Sequence, residues 1–253
     1  QPEQAGRFLK KRNRNMVIEI NEEIEIKENF IWLTMHDLKN LSKIDNLLNM
    51  DSRTVLACLN FFNDDIDDFK YVLRSKKSLF LKKMVEIKEF DKSISQVLRW
   101  IDEIKTNLEF ETKKLSLDKM KNWNIKDDGI FNRNNNFFSL EYFLIHAKGR
   151  EVSNWSQPLF VDKSIGLTGF LMNEKFELLF QVKAEAGAFH KILLYPTISV
   201  SKFNLDNQKV NFREYFINPD VNNILINSIQ SEEGGRFYKI LNKNMLIKTK
   251  NIL

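Results

Sequence analysis

The sequence predicts an α+β protein, with a helical segment followed by a mixed or antiparallel sheet. Between residues 34 and 108, apolar residues recur at helical spacing behind residues that favour helix starts. From residue 137 onward the chain is rich in aromatic and β-branched residues, with polar and apolar positions alternating. Helices grouped ahead of strands are the pattern of the α+β class.

The composition is that of a globular protein with room for one or two domains. Of 253 residues, 43% are hydrophobic and 29% charged, which excludes bulk disorder. The single cysteine, Cys58, excludes an internal disulfide and fits a reducing compartment. No apolar run is long enough to span a bilayer and no signal-peptide pattern opens the chain, so we expect a cytoplasmic protein with no membrane partner.

The net charge of +5 does not by itself indicate a nucleic-acid partner. The basic clusters are scattered and acidic residues interleave with them, as at Lys10-Lys11-Arg12-Arg14, Lys76-Lys77, Lys82-Lys83 and Lys113-Lys114. No nucleic-acid-binding motif accompanies them. A solvated surface is the preferred interpretation, and a basic nucleic-acid-binding protein is the weaker alternative.

Capping residues and apolar stripes predict three helices. Thr34 is expected to start a helix with the stripe Leu38, Leu41, Ile44, Leu47 and Leu48. Asp51 is expected to cap the next helix, and residues 63–92 are interpreted as a connector. Ser93 and Gln96 form a capping box ahead of the clearest amphipathic helix. We expect the apolar stripe of that helix to pack on the domain or on a second subunit.

Strands are predicted where aromatic and branched residues alternate with polar ones. The candidates are residues 137–147, 158–161, 167–172, 176–184, 191–201 and 236–248. After Pro219 a helix is expected around residues 220–229.

An internal repeat links the two ends of the chain. QPEQAGRFLKKRNRNMVIE recurs as QSEEGGRFYKILNKNMLIK at a constant offset of 229 positions. So long an offset is typical of a duplicated domain rather than of a solenoid. We therefore expect residues 1–20 to hold the final strand of a preceding module, 21–128 a helical linker and connector, and 129–253 a second module.

Two alternating runs of polar residues are the candidate walls of a binding site. Gln181, Lys183 and Glu185 fall on one strand face, opposite the apolar positions. Thr197, Ser199 and Ser201 alternate in the same way further along the chain. Such a face suits the floor of a polar ligand site, and the alternative is an outer face in contact with solvent.

A set of motifs resembles the NDP-hexose 2,3-dehydratases of deoxysugar biosynthesis. The motifs are Arg150-Glu151-Val152, Trp155, Gln157-Pro158-Leu159, Lys183, Glu185, Gly187 and Pro196-Thr197. The resemblance implies duplicated Nudix-like modules, a homodimer and a dTDP- or other NDP-4-keto-6-deoxyhexose as substrate. It implies loss of water across carbons 2 and 3, giving a 3,4-diketo sugar without a redox cofactor. The clustered glutamates of Mg²⁺-dependent Nudix hydrolases are absent, and no metal-ligand spacing occurs, so no metal site is expected.

The resemblance also implies candidate catalytic residues. An elimination needs a base, a stabiliser of the enolate oxygen and an acid for the leaving group. Glu185 is the candidate base, Lys183 the cation near the enolate or a phosphate, and Glu151 the rival base. The alternative for Glu151 is a structural ion pair with Arg150.

Further polar and aromatic residues are candidates for substrate binding. Trp155 has a ring that suits stacking on a base or sugar, with a core position as its alternative. Hydrogen-bond donors for phosphate or sugar hydroxyls cluster in the repeated segments, where a surface strand is the alternative. The binding candidates are Arg150, Trp155, Gln157, Gln181, Thr197, Arg12, Asn13, Arg14, Asn15, Arg236, Asn242 and Asn244.

The chain also departs from the family pattern. Ala186 and Ala188 stand where the family usually has Pro and Asn, Ser199 stands in place of a Gln, and Leu205 replaces an aromatic residue. These losses of polar side chains favour the alternative of a non-catalytic or vestigial nucleotide-sugar-binding and dimerisation module.

Overall fold

The computed structural model describes residues 4, 6–42, 44–57, 93–134 and 137–250. Cys58 and the predicted connector lie outside these ranges. The helices are α1 (Met35–Leu41), α2 (Met50–Ala57), α3 (Ile94–Asn107), α4 (Lys202–Asn207) and α5 (Arg213–Ile217). The strands are β1 (Trp123–Lys126), β2 (Gly129–Asn132), β3 (Ser139–His146), β4 (Asn154–Val161), β5 (Ile165–Met172), β6 (Phe180–Ala184), β7 (Ile192–Pro196), β8 (Ile198–Val200), β9 (Ile224–Ser231), β10 (Phe237–Tyr238) and β11 (Leu241–Lys248). The predicted α+β class is confirmed.

The strands form three sheets with mixed strand directions. One sheet has the order β1-β2-β3-β4-β10, a second has the order β8-β5-β11-β9, and β6 pairs with β7 in a hairpin. β11 runs parallel to β5 and antiparallel to β9, which makes it a central strand. Helices α4 and α5 lie against the second sheet, where the core cluster comprises Leu167, Leu171, Ile198, Leu205, Phe216, Met245 and Ile247.

Local capping chemistry starts the helices as predicted in two cases out of three. Thr34 and Ser93 both form complete capping boxes, with Asp37 and Gln96 respectively. The start of α2 was predicted wrongly, because the side chain of Asn49, and not of Asp51, accepts the hydrogen bond from Ser52 N at 2.9 Å. Helix α1 is also shorter than predicted and ends at Leu41.

Several strand boundaries differ from the prediction for local backbone reasons. Phe176 has a positive φ of 64° in a turn, so β6 begins only at Phe180. The predicted strand 191–201 divides at Thr197, because β7 pairs with β6 whereas β8 pairs with β5. The strand predicted over 236–248 divides at Lys239, which has φ 53°.

The helix predicted around residues 220–229 is wrong. Asp220 caps a single 3-10 turn over Val221–Asn223. The chain then continues as β9, which pairs along its length with β11. Hydrogen bonding to a central strand outweighs the local helix signal after Pro219. Strands β1 and β2 were not predicted at all.

The two repeated segments have different environments in this chain. In the second segment, Met245, Leu246 and Ile247 of β11 are 4%, 8% and 2% exposed. Their counterparts Met16, Val17 and Ile18 are 51%, 63% and 67% exposed. Residues 6–20 form no regular strand beyond a single bridge position at Arg12. Across the described ranges, no helix is both long and apolar enough to cross a membrane.

Candidate active site

A cavity of about 440 Å³ lies where the N-terminal segment meets the two smaller sheets. Gln4, Gly6 and Arg7 form one side of it, and β5, β6, β7, β8 and the start of β11 contribute the others. Its charged and polar lining comprises Gln4, Arg7, Asp162, Ser164, Thr168, Lys183, Glu185, Tyr195, Ser199, Ser201, Asn204, Glu232 and Asn242. Members of both predicted polar runs, Lys183 with Glu185 and Ser199 with Ser201, therefore face one cavity.

Lys183 is held at the junction of the hairpin and β8. Its Nζ donates a hydrogen bond to the backbone oxygen of Ser199 at 3.1 Å. The same Nζ lies 5.2 Å from the centre of the Tyr195 ring, within range of a cation–π contact. The ammonium is thus fixed at the cavity wall, with hydrogens left to donate to a ligand.

Glu185 and Tyr195 are hydrogen-bonded through their side chains. The backbone nitrogen of Glu185 donates to Lys191 O at 3.0 Å, which fixes the end of the hairpin. Burial raises the pKa of Tyr195 above its ordinary value, and the charge and hydrogen bond of Glu185 raise it further. Tyr195 therefore stays protonated at neutral pH and acts as a hydrogen-bond donor to the Glu185 carboxylate.

Arg7 brings a second cation into the cavity from the far end of the chain. Its guanidinium carbon lies 4.2 Å from the centre of the Phe138 ring. Burial lowers the pKa of Arg7, and the negative charges of Asp162, Glu185 and Glu232 oppose that shift. An arginine remains protonated under these conditions, so Arg7 is a fixed positive charge between carboxylates.

Glu232 is a part-buried carboxyl group of the cavity. It accepts hydrogen bonds from Gln4 Nε2 and Asn242 Nδ2. Burial raises the pKa of Glu232, opposed by the hydrogen bonds from Asn242 and Gln4 and by the charges of Arg53 and Arg7. Gly166 is the register partner of Asn242 across β5 and β11, and a Cβ on Gly166 would collide with the Asn242 side chain.

Helix α2 fixes the loop that carries Glu232. Arg53 donates from Nη2 to Ser231 O at 2.8 Å and from Nη1 to Gln230 Oε1. Burial lowers the pKa of Arg53, and the charge of Glu232 opposes the shift. The helical region before the sheets therefore contributes to the site.

Gln181 and Thr197, two predicted binding residues, instead bind the backbone. Gln181 Nε2 donates to Pro196 O at 2.8 Å and to Thr197 O at 2.9 Å. Thr197 is 5% exposed, donates from Oγ1 to Leu179 O and accepts from Leu171 N at 2.9 Å. Gln181 thus ties β6 to the end of β7, and Thr197 ties the hairpin to β5 through Leu171; together they position Lys183.

Arg150, Glu151, Trp155 and Gln157 lie in a different place, a depression of about 910 Å³ on the β3–β4 side. Arg150 and Glu151 form an exposed ion pair at 3.4 Å, which was the structural alternative for them. Trp155 Nε1 donates to Gln157 Oε1 at 2.7 Å, and Gln157 Nε2 donates to Gly235 O. The fold does not bring these four residues to the cavity that contains Glu185.

Most of the predicted donors in the repeated segments also lie away from the cavity. Arg12 packs over Phe189 at 4.0 Å, and Arg236 packs over Phe8 at 5.1 Å and pairs with Glu233 at 3.0 Å. Asn244 donates to Asn242 O at 3.2 Å. Asn13 and Asn15 are half-buried, and Arg14 is exposed. Asn242 alone of the proposed binding residues in these segments lines the cavity.

Four functional groups of the cavity were not among the predicted site residues: Arg7, Asp162, Tyr195 and Glu232. Tyr195 continues the alternation of Thr197, Ser199 and Ser201 by one step, so extending that pattern would have found it. Arg7 and Glu232 belong to the repeat, which was the available signal for them. Nothing in the sequence pattern distinguishes Asp162.

Comparison with known proteins identifies relatives over nearly the whole chain. The profile of the family described as NDP-hexose 2,3-dehydratase matches residues 1–59 and 94–253. The curated relatives include proteins named dTDP-4-dehydro-6-deoxy-alpha-D-glucopyranose 2,3-dehydratase. Those from Saccharopolyspora spinosa, Streptomyces violaceoruber and Amycolatopsis orientalis are 29%, 32% and 26% identical over 98% of this chain. The alignments cover 52%, 54% and 49% of those proteins, so the chain spans about half the length of the relatives it matches.

Proposed function

The chain belongs to the NDP-hexose 2,3-dehydratase family, and from that premise we propose that the full-length protein is a sugar-nucleotide 2,3-dehydratase. Its substrate is a dTDP- or other NDP-4-keto-6-deoxyhexose, as the names of the relatives suggest. Water is lost across carbons 2 and 3, and the enol product rearranges to a 3,4-diketo sugar. The conversion is redox-neutral, so it requires no redox cofactor.

The observation that carries this proposal is the grouping of Glu185, Tyr195 and Lys183 on one cavity wall. The C4 ketone acidifies the proton on carbon 3, and the Glu185 carboxylate removes it. Negative charge then develops on the C4 oxygen. The Lys183 ammonium stabilises that charge, because it is already positioned by Ser199 O and the Tyr195 ring.

The position of the reacting groups decides which part of the substrate occupies the cavity. Glu185 and Lys183, the proposed base and the proposed stabiliser of the enolate, both line it. Carbon 3 and the C4 ketone therefore have to enter this cavity. We place the hexose here and the diphosphate outside it.

The neighbouring cavity of about 690 Å³ supports a position for the diphosphate. It shares Phe137, Asp162 and Ser164 with the hexose cavity. Three lysines, Lys126, Lys163 and Lys202, line it together with the carboxyl groups of Glu141, Asp162 and Asp206, and Lys202 pairs with Asp206 at 2.7 Å. We assign this second cavity to the nucleotide end of the substrate.

Turnover by a Glu185→Gln variant of the full-length protein tests the function. General base catalysis contributes about 10²- to 10⁴-fold, so we expect kcat to fall by about that factor. Glu214→Gln is the matched control, because Glu214 is 74% exposed in an ion pair on α5. Normal turnover by Glu185→Gln would exclude a catalytic role for Glu185. The alternative, a module that only binds the nucleotide sugar, would then be preferred.

The environment of the repeat supports a second proposal, that residues 1–20 hold the final strand of a preceding module. The exposed residues Met16, Val17 and Ile18 match residues that are buried in β11. β11 is buried because β5 and β9 flank it. Strands equivalent to β5 and β9 in a preceding copy would bury the first segment in the same way.

We also propose a homodimer, with a cytoplasmic location in accord with the single cysteine. Helix α3 supports the homodimer, because its apolar stripe includes Ile94 and Leu98, which are 79% and 56% exposed. Its polar side carries both charge signs, at Arg99, Asp102 and Glu103, which suits a protein surface better than an anionic membrane.

A further inference from the structure

Glu232 has no part in the steps assigned to Glu185 and Lys183, although it lines the same cavity. The carboxyl group is held in place from both sides, since Gln4 and Asn242 each donate an amide hydrogen to it. The backbone is held as well, because Glu232 N donates to Ile240 O at 3.0 Å and Arg53 binds the preceding Ser231 O. A carboxyl group fixed to this degree has a defined position relative to a bound hexose.

The two glutamates are brought to the same guanidinium but have different surroundings. Arg7 interacts electrostatically with both Glu185 and Glu232, which places both carboxyl groups near it. Glu185 accepts a hydrogen bond from Tyr195. Glu232 is desolvated among neutral amides, and burial raises its pKa despite the nearby charges of Arg7 and Arg53. Two carboxyl groups in contrasting environments are how one site divides the roles of acid and base.

The elimination also leaves one requirement unmet. Hydroxide is a poor leaving group, so the C2 oxygen needs a proton as its bond to carbon breaks. Lys183 is engaged at the wall near the enolate, and the Tyr195 hydroxyl donates to Glu185. Of the two other described carboxyl groups of the cavity, Asp162 accepts hydrogen bonds from Ser164 N and Ser164 Oγ, at 2.9 Å and 2.6 Å, and burial raises the pKa of Glu232. Glu232 is therefore the candidate proton donor.

We propose that Glu232 is the general acid that protonates the departing C2 hydroxyl group. This inference rests on the proposed function. Glu185 takes the proton from carbon 3, the C2=C3 bond forms, and the C2–O bond breaks. The oxygen takes the proton of Glu232 and leaves as water. Glu185 ends protonated and Glu232 ionised, and proton exchange with solvent restores both groups.

A change of leaving group separates this role from a structural one. Fluoride departs without a proton, so a substrate analogue with fluorine in place of the C2 hydroxyl does not need the acid. In the full-length protein, Glu232→Gln should lower kcat on the natural substrate by about 10²- to 10⁴-fold and leave fluoride elimination close to wild type. Glu185→Gln should impair both reactions, because both need the base. Glu233→Gln is the matched control, since its carboxyl group pairs with Arg236 outside the cavity.

Each outcome decides the proposal. Equal loss of hydroxide and fluoride elimination in Glu232→Gln would show a merely structural role, and no loss in either would exclude any role. A wild-type enzyme inactive on the natural substrate would instead overturn the proposed function itself.

The wild-type protein provides a second test that does not depend on folding of the variant. With the natural substrate, kcat/KM should fall at high pH as the acid loses its proton, and with the fluoro analogue this basic limb should be missing. The same basic limb with both substrates would overturn the assignment of Glu232.

Discussion

The carboxylate of Glu185 lies directly over Gly6: a Cβ placed on Gly6 would come to 3.0 Å from Glu185 Oε2. The proposed base is therefore in van der Waals contact with a segment that precedes it by 179 positions. Lys10 N also donates to Gly187 O at 2.7 Å, which fixes this segment to the hairpin. The position of the base thus depends on the N-terminal segment as well as on its own strand.

Gly6→Ala is expected to reduce activity by displacing Glu185. The added methyl group forces the carboxylate to move by a few tenths of an ångström, and such misplacement costs activity more than stability. Steady-state kinetics and thermal unfolding measure the two effects. Gly234→Ala is the control, because nothing lies within 4 Å of its Cβ position. Equal kinetics for both variants would contradict the close contact.

Arg7→Met is expected to move the basic limb of the pH–rate profile to higher pH. Arg7 favours the ionised form of Glu232, so its removal raises the pKa of Glu232 further and keeps the acid protonated to higher pH. Measurement of kcat/KM against pH in the full-length protein gives the shift. Arg236 is the counterpart of Arg7 in the internal repeat and lies outside the cavity. Arg236→Met should therefore leave the basic limb unchanged. A shift to lower pH would contradict this arrangement of charges.

Glu232 should make folding stability depend on pH. Its pKa is raised in the folded state, so its contribution is fully present below its unfolded pKa, near 4.5, and is lost as pH rises through the higher folded value. Arg7, Arg53, Asp162 and Glu185 are the charged groups around it. Urea unfolding of wild type and Glu232→Gln across this window should show the variant gaining relative stability as pH rises. A difference in unfolding free energy between wild type and Glu232→Gln that stays constant with pH would disprove the raised pKa of Glu232.

Ile247→Ala and Ile18→Ala test the proposed duplication. Ile247 is 2% exposed, so its truncation should cost about 2–5 kcal/mol in any form of the protein. Ile18 is 67% exposed, so Ile18→Ala should change the stability of this chain by less than about 0.5 kcal/mol. In the full-length protein we expect Ile18→Ala to cost about as much as Ile247→Ala. A near-zero cost of Ile18→Ala in the full-length protein would contradict the proposal that residues 1–20 belong to a preceding module.

Leu98→Glu is expected to dissociate the proposed homodimer. Leu98 is 56% exposed on the apolar stripe of α3, where a charge would have to be buried on pairing. Sedimentation of the full-length protein measures the oligomeric state, and circular dichroism checks that the fold is kept. Glu103→Lys, on the opposite side of α3, is the control. An unchanged mass for Leu98→Glu would exclude this surface as the interface.

The sequence alone determined the features that depend on neighbouring residues. Thr34 and Ser93 start helices because their partners lie three positions away. The alternation of Lys183 and Glu185, and of Ser199 and Ser201, placed those pairs on common faces because strand periodicity is local. The repeat that involves residues 1–20 was also found without the structure, because finding it requires only that one part of the sequence be compared with another.

Only the tertiary structure decided which polar residues share a cavity. Gln4 and Glu232 bind each other across 228 positions, and Gln181 and Thr197, despite their place in the alternation, bind backbone groups that strand pairing brings to them. The strand β9 formed where a helix was predicted, because β11 offered it a hydrogen-bonded edge. The order of residues specifies which side chains share a face of a strand. The meeting of distant segments depends instead on how sheets and loops pack. That packing is the sum of many contacts, none of which has a local sequence signature.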